Sequence, residues 1–580
     1  MNQLWICFRR FLRYRGRLAA GLCCIPIAAI GDIGITKLVG DALDRLREGS
    51  DTGFLRGLFF ILLGISLVRG VFRFLQRWWV VSVSRYVEVD LKQDLFDKLA
   101  SLPYAFHNRS RSGDLVSRLT SDVENVRMFL GPGLMYSLGA LVILPVSAAY
   151  LVYLNATLAL WMLVPLVIMG VGMKLLVPRL HKHSTAVQES LADISHRAQE
   201  NFAGIRVVKG YRREEQQTAR FNAVSRENMG HQIELGRARG LTHAITYGSK
   251  DFTFLPILLV GGWAMIDRAL PAGDVFKFID LTFKVFWPII AVGWMAGLYP
   301  RAVVSSGRIL ELLDTDPEIA DAADAVELER PRGALRLRDV RFTYEGASRP
   351  AIRDVSLDVP AGSVLGIVGP TGSGKTTLLN LLARLFEAEG EIRLDGVPVR
   401  ELSLASLRGA LGYVPQDSFL FSETYRANVG FGAEHELDDE RLAELTDLVR
   451  MTDEVAQFPH GFDQRIGERG VTLSGGQRQR TCIARALARE PAVLILDDAL
   501  SAVDTETESE LVRNLRGAGA GRTVLIAAHR LSTVMHADQV IVLREGRIEA
   551  RGTHEELLRQ PGWYSENWAR QQAQGELAEL

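Results

Sequence analysis

The pattern of apolar and polar positions divides the chain near residue 320 into halves of different periodicity. The first half is built of long apolar stretches. The clearest, residues 128–172, contains no charged residue. It is far longer than the roughly twenty residues that one helix needs to cross a bilayer. Asn155, after Tyr153 and Leu154, is a natural break, so the pattern predicts two spans joined by a very short turn. A single buried helix of a soluble protein fails on length. Four further apolar stretches, 18–39, 58–81, 241–266 and 275–299, each carry charge: Asp32 and Lys37; Arg69 and Arg73; Asp251; and Lys277 with Asp280 and Lys284. A charge at the centre of a span costs about 2.5 kcal/mol or more. These side chains are therefore expected to face a water-filled interior or to sit near the ends of spans.

Six spans return the chain to the side on which it began. Arg9, Arg10, Arg13, Arg15 and Arg17 precede the first span and assign that side to the cytosol. The same arginines followed by an apolar run superficially resemble a secretory signal. No small-residue cleavage pattern closes the run and further apolar segments follow, so a retained first span is expected. Two long polar stretches, 84–127 and 181–240, alternate apolar and charged residues at helical spacing. They are expected to project into the cytosol as helices, with turns at Gly113-Asp114 and at Gly204. The lipid bilayer is the first partner that this pattern implies.

From residue 314 to 333 the composition shifts to Asp, Glu, Pro and Ala, a linker. Beyond it, short β-branched runs at 334–344, 363–368, 411–414, 493–496, 523–527 and 539–542 alternate with helical segments. Such alternation implies a mostly parallel sheet with helices on both faces. The expected organisation is an all-α transmembrane domain of six helices over 1–313, the linker at 314–333, and an α/β P-loop domain over 334–580.

Composition adds little. The formal net charge is −1 across 580 residues, which gives no reason to expect a nucleic-acid partner. The four cysteines, Cys7, Cys23, Cys24 and Cys482, form no CxxC pair and no metal-ligand spacing, and are read as buried or reduced thiols.

The chemistry sits in the second half. Gly369-Pro370-Thr371-Gly372-Ser373-Gly374-Lys375-Thr376-Thr377 follows a predicted strand and opens a predicted helix, the context that a phosphate-binding loop requires. Its glycines let backbone N–H groups converge on the β- and γ-phosphates of a nucleoside triphosphate, and the helix N-terminus faces the same charge. Lys375 is expected to reach the phosphates and the Thr376 hydroxyl to ligate Mg²⁺. Val493-Leu494-Ile495-Leu496-Asp497 is a buried strand ending in a carboxylate, where a metal-orienting acid belongs. About a hundred residues past the loop, Leu473-Ser474-Gly475-Gly476-Gln477 forms a second glycine-rich turn.

Taken together these segments resemble the ATP-binding cassette exporters, and more closely a half-transporter of the multidrug and lipid exporter type. The resemblance covers nearly the whole length. It is highly specific in the ATPase half and mainly one of layout in the spans. It implies that Tyr344 stacks on adenine, and that Gln416 contacts Mg²⁺ and faces the membrane domain. It further implies that Glu468 lies in a coupling segment, that Ser501-Ala502-Val503-Asp504 crosses a dimer interface and that His529 senses the γ-phosphate. In this family Ser474, Gly475, Gly476 and Gln477 close over ATP held by a partner chain, so the resemblance requires a dimer.

One position departs from the family. The hydrolytic glutamate that follows the metal-orienting aspartate is replaced by Asp498. A base must stand within about 2.6–3.2 Å of the attacking water, and aspartate is one methylene short. The expectation is an own ATP site of weak hydrolysis, in a heterodimer whose partner supplies the glutamate; the alternative is a homodimeric lipid flippase with slow ATPase. The expected function is ATP-driven export of hydrophobic or amphipathic substrates (drugs, lipids or peptides) across the cytoplasmic membrane, with ATP and Mg²⁺ as cofactors. A soluble ATPase of the superfamily would lack the 128–172 double span. An importer usually keeps spans and ATPase on separate chains.

Overall fold

A computed structural model describes residues 3–49, 52–467, 473–517 and 521–579. The chain forms two compact units, one of Met1–Leu99 with Gly113–Thr315 and one of Ala100–Ser112 with Asp316–Leu580.

The first unit is helical. Among the described residues, five of its helices are long and apolar enough to cross a membrane: α1 (Gln3–Arg47), α2 (Thr52–Ser101), α3 (Ser112–Leu154), α4 (Ala156–Ala203) and α5 (Glu214–Ile266). The span expected at 275–299 lies inside a sixth helix, α6 (Ala272–Leu313). Asp274, Lys277, Asp280 and Lys284 occupy the first half of α6. These charges are internally paired. Lys277 Nζ lies 2.6 Å from Asp41 and 2.8 Å from Asp274, and Lys284 lies 2.6 Å from Asp280. Asp32, only 4% exposed, accepts from Arg69 at 2.6 Å and from Arg73 at 3.3 Å. A cavity of about 550 Å³ has Asp32, Arg73, Arg77 and Lys284 in its wall beside Tyr136, Phe283 and Trp287. Of the charges expected inside the membrane, Asp32, Arg73 and Lys284 border this cavity, whereas Lys37 and Asp251 are exposed and lie outside its wall.

The break at Asn155 takes a single residue. Asn155 is extended (φ −159°, ψ 105°), and its side-chain oxygen accepts the Leu158 N–H at 2.9 Å, capping α4. Gly204 likewise ends α4. Gly113 and Asp114, expected to form a turn, instead lie in the first turn of α3, where Asp114 bonds Arg118 one turn on and also Arg308. The breaks fall on either side of a short helix, Tyr104–Arg109: at Pro103, which is extended, and at Ser110. Proline lacks the N–H that would continue α2.

The peptide 100–112 belongs to the second unit. The Tyr104 ring stands edge-on to Phe386 at 5.7 Å. Arg109 donates to Glu318 at 3.0 Å and also pairs with Glu345.

The remainder of the second unit is α/β. An antiparallel sheet has the order β2 (Ile352–Val359), β1 (Leu335–Phe342), β4 (Glu389–Leu394), β5 (Val397–Pro398). A six-stranded sheet runs β10 (Arg547–Gly552), β9 (Gln539–Arg544), β3 (Val364–Val368), β8 (Thr523–Ala527), β7 (Val493–Asp497), β6 (Leu411–Val414). In it β9, β3, β8, β7 and β6 are parallel and β10 is antiparallel. The expected mostly parallel sheet is this one; the run at 334–344 belongs to the antiparallel sheet. Every residue of β3, β7 and β8 is buried, and alternate residues feed opposite cores. Leu494 and Leu496 join one apolar cluster, Val493 and Ile495 the other. Covering both faces is what makes these strands read as unbroken apolar runs.

In the first unit α1 and α6 cross at glycines. A Cβ on Gly273 would stand 2.0 Å from the Gly40 carbonyl oxygen and 2.3 Å from the Asp44 carboxylate, which accepts the Gly273 N–H at 2.7 Å. Gly273→Ala is expected to destabilise by about 1–3 kcal/mol through overpacking, read as a lower unfolding midpoint in detergent, while Gly297→Ala on the same helix, where a Cβ meets open space, leaves it unchanged.

Candidate nucleotide site

Strand register builds the site. Leu496 pairs with both Val414 and Ile526, Asp497 with Ala527, and Ala527 with Ile367. The C-terminal ends of β3, β6, β7 and β8 therefore come out at one edge, where open α/β sheets bind ligands. The loop after β3, Asp497 and Asp498 after β7, His529 after β8 and Gln416 after β6 are all delivered there.

The loop after β3 is sterically committed to glycine. At Gly369 (φ 151°) a Cβ would stand 2.1 Å from the Leu543 carbonyl oxygen, and at Gly374 (φ 106°) 2.8 Å from that of Ala351. Gly372 also has positive φ, 77°. Gly374 then opens α7 (Lys375–Leu382), and no side chain caps that helix. Its first N–H groups lack intrahelical partners and suit an anion. The buried Lys375 ammonium folds onto the loop, donating to the carbonyls of Gly369 at 2.9 Å and Pro370 at 3.1 Å. Burial pushes its pKa down, opposed by the carboxylates of Asp498 and Asp497. The Thr371 and Thr376 side chains are exposed, whereas Ser373 is buried.

Thr376 donates its hydroxyl to Asp497 Oδ1 at 3.1 Å. Asp497 is 2% exposed, and its other oxygen, Oδ2, has no hydrogen-bond partner. Burial raises its pKa; the Thr376 bond, Lys375 and His529 oppose this, and the neighbouring Asp498 reinforces it. The Ser373 hydroxyl is also buried and unpartnered. Buried polar atoms without partners are rare. An orphaned carboxylate oxygen beside a hydroxyl is the donor set that a hard divalent cation such as Mg²⁺ takes alongside a phosphate, so these residues fit one. Gln416 is exposed on the loop beyond β6.

Tyr344 flanks the loop. Its hydroxyl lies 3.0 Å from that of Thr377, and its ring is edge-on to Phe342 at 4.8 Å and to Phe386 at 5.4 Å. The half-buried ring is thereby fixed for an aromatic partner.

The second glycine turn caps α8 (Gly475–Leu487). Ser474 Oγ accepts the Gln477 N–H at 3.2 Å and Gln477 Oε1 accepts the Ser474 N–H at 3.0 Å, a reciprocal capping box. A Cβ on Gly476 would stand 2.9 Å from the Ala502 carbonyl oxygen, and one on Gly475 3.2 Å from Ala502 Cβ. The two glycines thus let the 501–504 loop lie against the turn. Asp504 accepts the Thr507 N–H at 2.9 Å, capping α9 (Thr505–Gly517). Glu468 lies outside the described residues.

Two residues that the sequence did not single out join these parts. Gln479, 6% exposed, accepts the Ala502 N–H at 2.9 Å and donates to Ser501 Oγ at 3.1 Å and the Asp498 carbonyl at 3.3 Å. It shares the buried face of α8 with Cys482, Ile483 and Ala486; a glutamine falling on that helical stripe was its available signal. Glu508, 3% exposed, accepts from Thr533 and from Arg530, and burial raises its pKa.

Asp498 itself is held by its backbone. It adopts φ 48°, donates its N–H to the Ala527 carbonyl at 2.9 Å, and accepts at its carbonyl from Ser501 Oγ at 2.9 Å as well as from Gln479. The structure thus gathers Lys375, Thr376, Asp497, Asp498 and His529 into one electrostatic neighbourhood, and ties the 474–477 turn to it through Gln479 and the 501–504 loop.

The family profile described as "ABC transporter transmembrane region" matches residues 18–289, and the one described as "ABC transporter" matches residues 352–501. The chain is 33% identical over 579 residues to the multidrug resistance-like ATP-binding protein MdlA of Escherichia coli, covering 99% of this chain and 96% of that one. It is 34% identical over 569 residues to the ATP-dependent lipid A-core flippase of Methylococcus capsulatus, covering 97% and 94%. Among solved structures, a bacterial Atm1-family ABC exporter with ATP bound superposes with a TM-score of 0.76 at 25% identity, over 96% of this chain and 98% of that one. An α-helical membrane unit, a phosphate-loop edge and full-length similarity on both counts lead to one statement: the chain belongs to the ABC exporters, with an ATPase domain coupled to a multi-pass membrane domain.

Proposed function

We propose that this chain is one half of a dimeric exporter that moves hydrophobic or amphipathic molecules outward across the cytoplasmic membrane, with its ATPase domain and both termini in the cytosol. Its own ATP site binds nucleotide and hydrolyses it weakly. In this reading Tyr344 stacks on adenine and the 369–377 loop holds the phosphates. Thr376, Asp497 and Gln416 hold Mg²⁺, which when bound would neutralise phosphate charge. His529 senses the γ-phosphate, and the 474–477 turn closes over ATP on the partner chain. Lys375 leaves the carbonyls of Gly369 and Pro370 for the phosphates, an exchange that its buried, depressed ammonium favours.

The observation that carries the proposal is the pinned backbone of Asp498. Its carboxylate is withdrawn by about one C–C bond, ~1.5 Å, relative to a glutamate. The bonds to Ala527, Ser501 and Gln479 prevent the main chain from advancing to compensate. Misplacement on the order of 1 Å costs about a hundredfold. Because the 474–477 turn is complete, the chain retains what a partner's competent site requires, which favours a heterodimer. Similarity to lipid A-core flippases favours a second reading, a homodimeric lipid flippase of slow turnover.

The purified chain alone is expected to hydrolyse ATP slowly, with Asp498→Glu raising turnover by roughly a hundredfold and co-expression with a glutamate-bearing half-transporter restoring brisk, substrate-stimulated ATPase. Brisk hydrolysis by the unmodified chain on its own contradicts the weak site; slow but lipid-stimulated hydrolysis by the chain alone supports the homodimer.

Asp497 gives an independent check. A carboxyl whose folded pKa is raised destabilises the fold when ionised. The cost is absent below the ordinary carboxylate pKa, grows as pH rises and is complete above the raised value. Without nucleotide, Asp497→Asn is therefore expected to raise the unfolding midpoint at pH 7 and to leave it unchanged at acid pH. The same substitution removes the Mg²⁺-dependent part of ATP binding, measured by titration with and without a chelator.

A further inference from the structure

The main chain that carries His529 is gripped from outside the sheet. Gln571, on α10 (Trp563–Glu579), donates its Nε2 to the His529 carbonyl at 3.0 Å and accepts the Leu531 N–H at Oε1, also at 3.0 Å. One amide thus bridges the backbone on both sides of Arg530. Each contact requires a different end of the amide, so a carboxylate of the same length would keep the Leu531 bond and lose the His529 one, while asparagine would fall a methylene short. The His529 side chain, on the residue whose carbonyl is the first anchor, is exposed, and Leu531, which supplies the second, is fully buried. Inward motion is therefore blocked by the core and outward motion by Gln571.

The helix that carries Gln571 is itself anchored. Tyr564, 2% exposed, belongs to the larger apolar cluster, and Trp563 and Trp568 pack against that cluster. The Tyr564 hydroxyl lies 2.7 Å from His554 Nδ1, and Trp568 is edge-on to the same imidazole at 4.6 Å. Tyr564, Trp568 and Gln571 follow one another at i, i+4 and i+7, a single face of the helix. Arg530, between the two gripped residues, points the other way: it donates to the Val503 carbonyl at 3.3 Å, to Glu508 at 3.3 Å and to the Ser501 carbonyl at 3.4 Å. The same three-residue segment is thus held by α10 on one side and by the 501–504 loop on the other.

We infer that Gln571 is a positioning residue for nucleotide sensing: its amide fixes the main chain of His529 so that the imidazole meets the γ-phosphate, making α10 part of the ATP-reading machinery. The inference rests on the reading of His529 as the γ-phosphate sensor. Because it concerns discrimination between ATP and ADP, it is testable without turnover, which the short Asp498 limits.

The experiment measures ATP and ADP affinities of the full-length chain in detergent by equilibrium titration with Mg²⁺ present, for the unmodified chain, Gln571→Ala, Gln571→Glu, His529→Ala and the double variant Gln571→Ala with His529→Ala. Weakening one hydrogen bond to the charged γ-phosphate is expected to reduce the preference for ATP over ADP by roughly tenfold. Gln571→Ala is expected to show this loss with ADP affinity unchanged, Gln571→Glu to lose part of the preference, and the double variant to match His529→Ala. If Gln571→Ala weakens both nucleotides equally, or lowers the ATP preference further when His529 is already absent, its role is structural support and the inference fails. If His529→Ala lowers the preference and Gln571→Ala does not, the inference alone fails. If His529→Ala leaves the preference intact, the sensor reading fails and takes the inference with it.

Discussion

The site depends on a carboxylate kept dry. Asp497 ends a strand buried on both faces, and its fold supplies one hydrogen bond, from Thr376, for two oxygens. A lone charge in that setting is unfavourable, and the neighbouring groups answer to it. Burial depresses the Lys375 ammonium while both aspartates oppose that shift. With no side chain capping it, α7 directs its N-terminus at the same edge. The Lys375 ammonium meanwhile rests on the carbonyls of its own loop. A ligand with several anionic oxygens and an accompanying cation matches all of these groups at once.

Much of this is legible in the linear chain, for identifiable reasons. The strands β3, β7 and β8 are unbroken apolar runs because both faces of their sheet are covered, one by helices and the other by α7 with the antiparallel sheet, and a run followed by glycines or by Asp497 announces where it ends. The uncharged 128–172 segment reads as two spans because Asn155 does two tasks in one residue, leaving the helical region and capping the next helix. What escaped the sequence depends on distant partners. β2, β4 and β10 are half-exposed and carry many charges, so no apolar run marks them. Gly113 and Asp114 suggest a turn by composition, yet Asp114 is held in a helix by arginines at 118 and 308. Gln479 and Gln571 act through backbone groups distant in sequence; the helical stripe marks Gln479 as buried, but no local pattern names its partners.

The short side chain at position 498 gains its meaning from its surroundings. An aspartate on a pliant loop could advance to meet a water molecule. Here the residue adopts a left-handed conformation and is tied at both its N–H and its carbonyl. The bonds that fix the Asp498 main chain beside Asp497 leave its short side chain no way to advance. Gln479 takes part in this, since the glutamine that seats the signature turn against the 501–504 loop also holds the Asp498 carbonyl.

The 100–112 peptide lies in sequence between two helices of the first unit, yet packs with the second. A ribosome releases it more than two hundred residues before the strands it rests on. Its Tyr104 and Arg109 meet Phe386, Glu318 and Glu345 only after those residues have been made. The second unit is therefore discontinuous along the chain: its completion comes late in synthesis, and a fragment beginning at the linker would leave the aromatic surface around Phe386 bare.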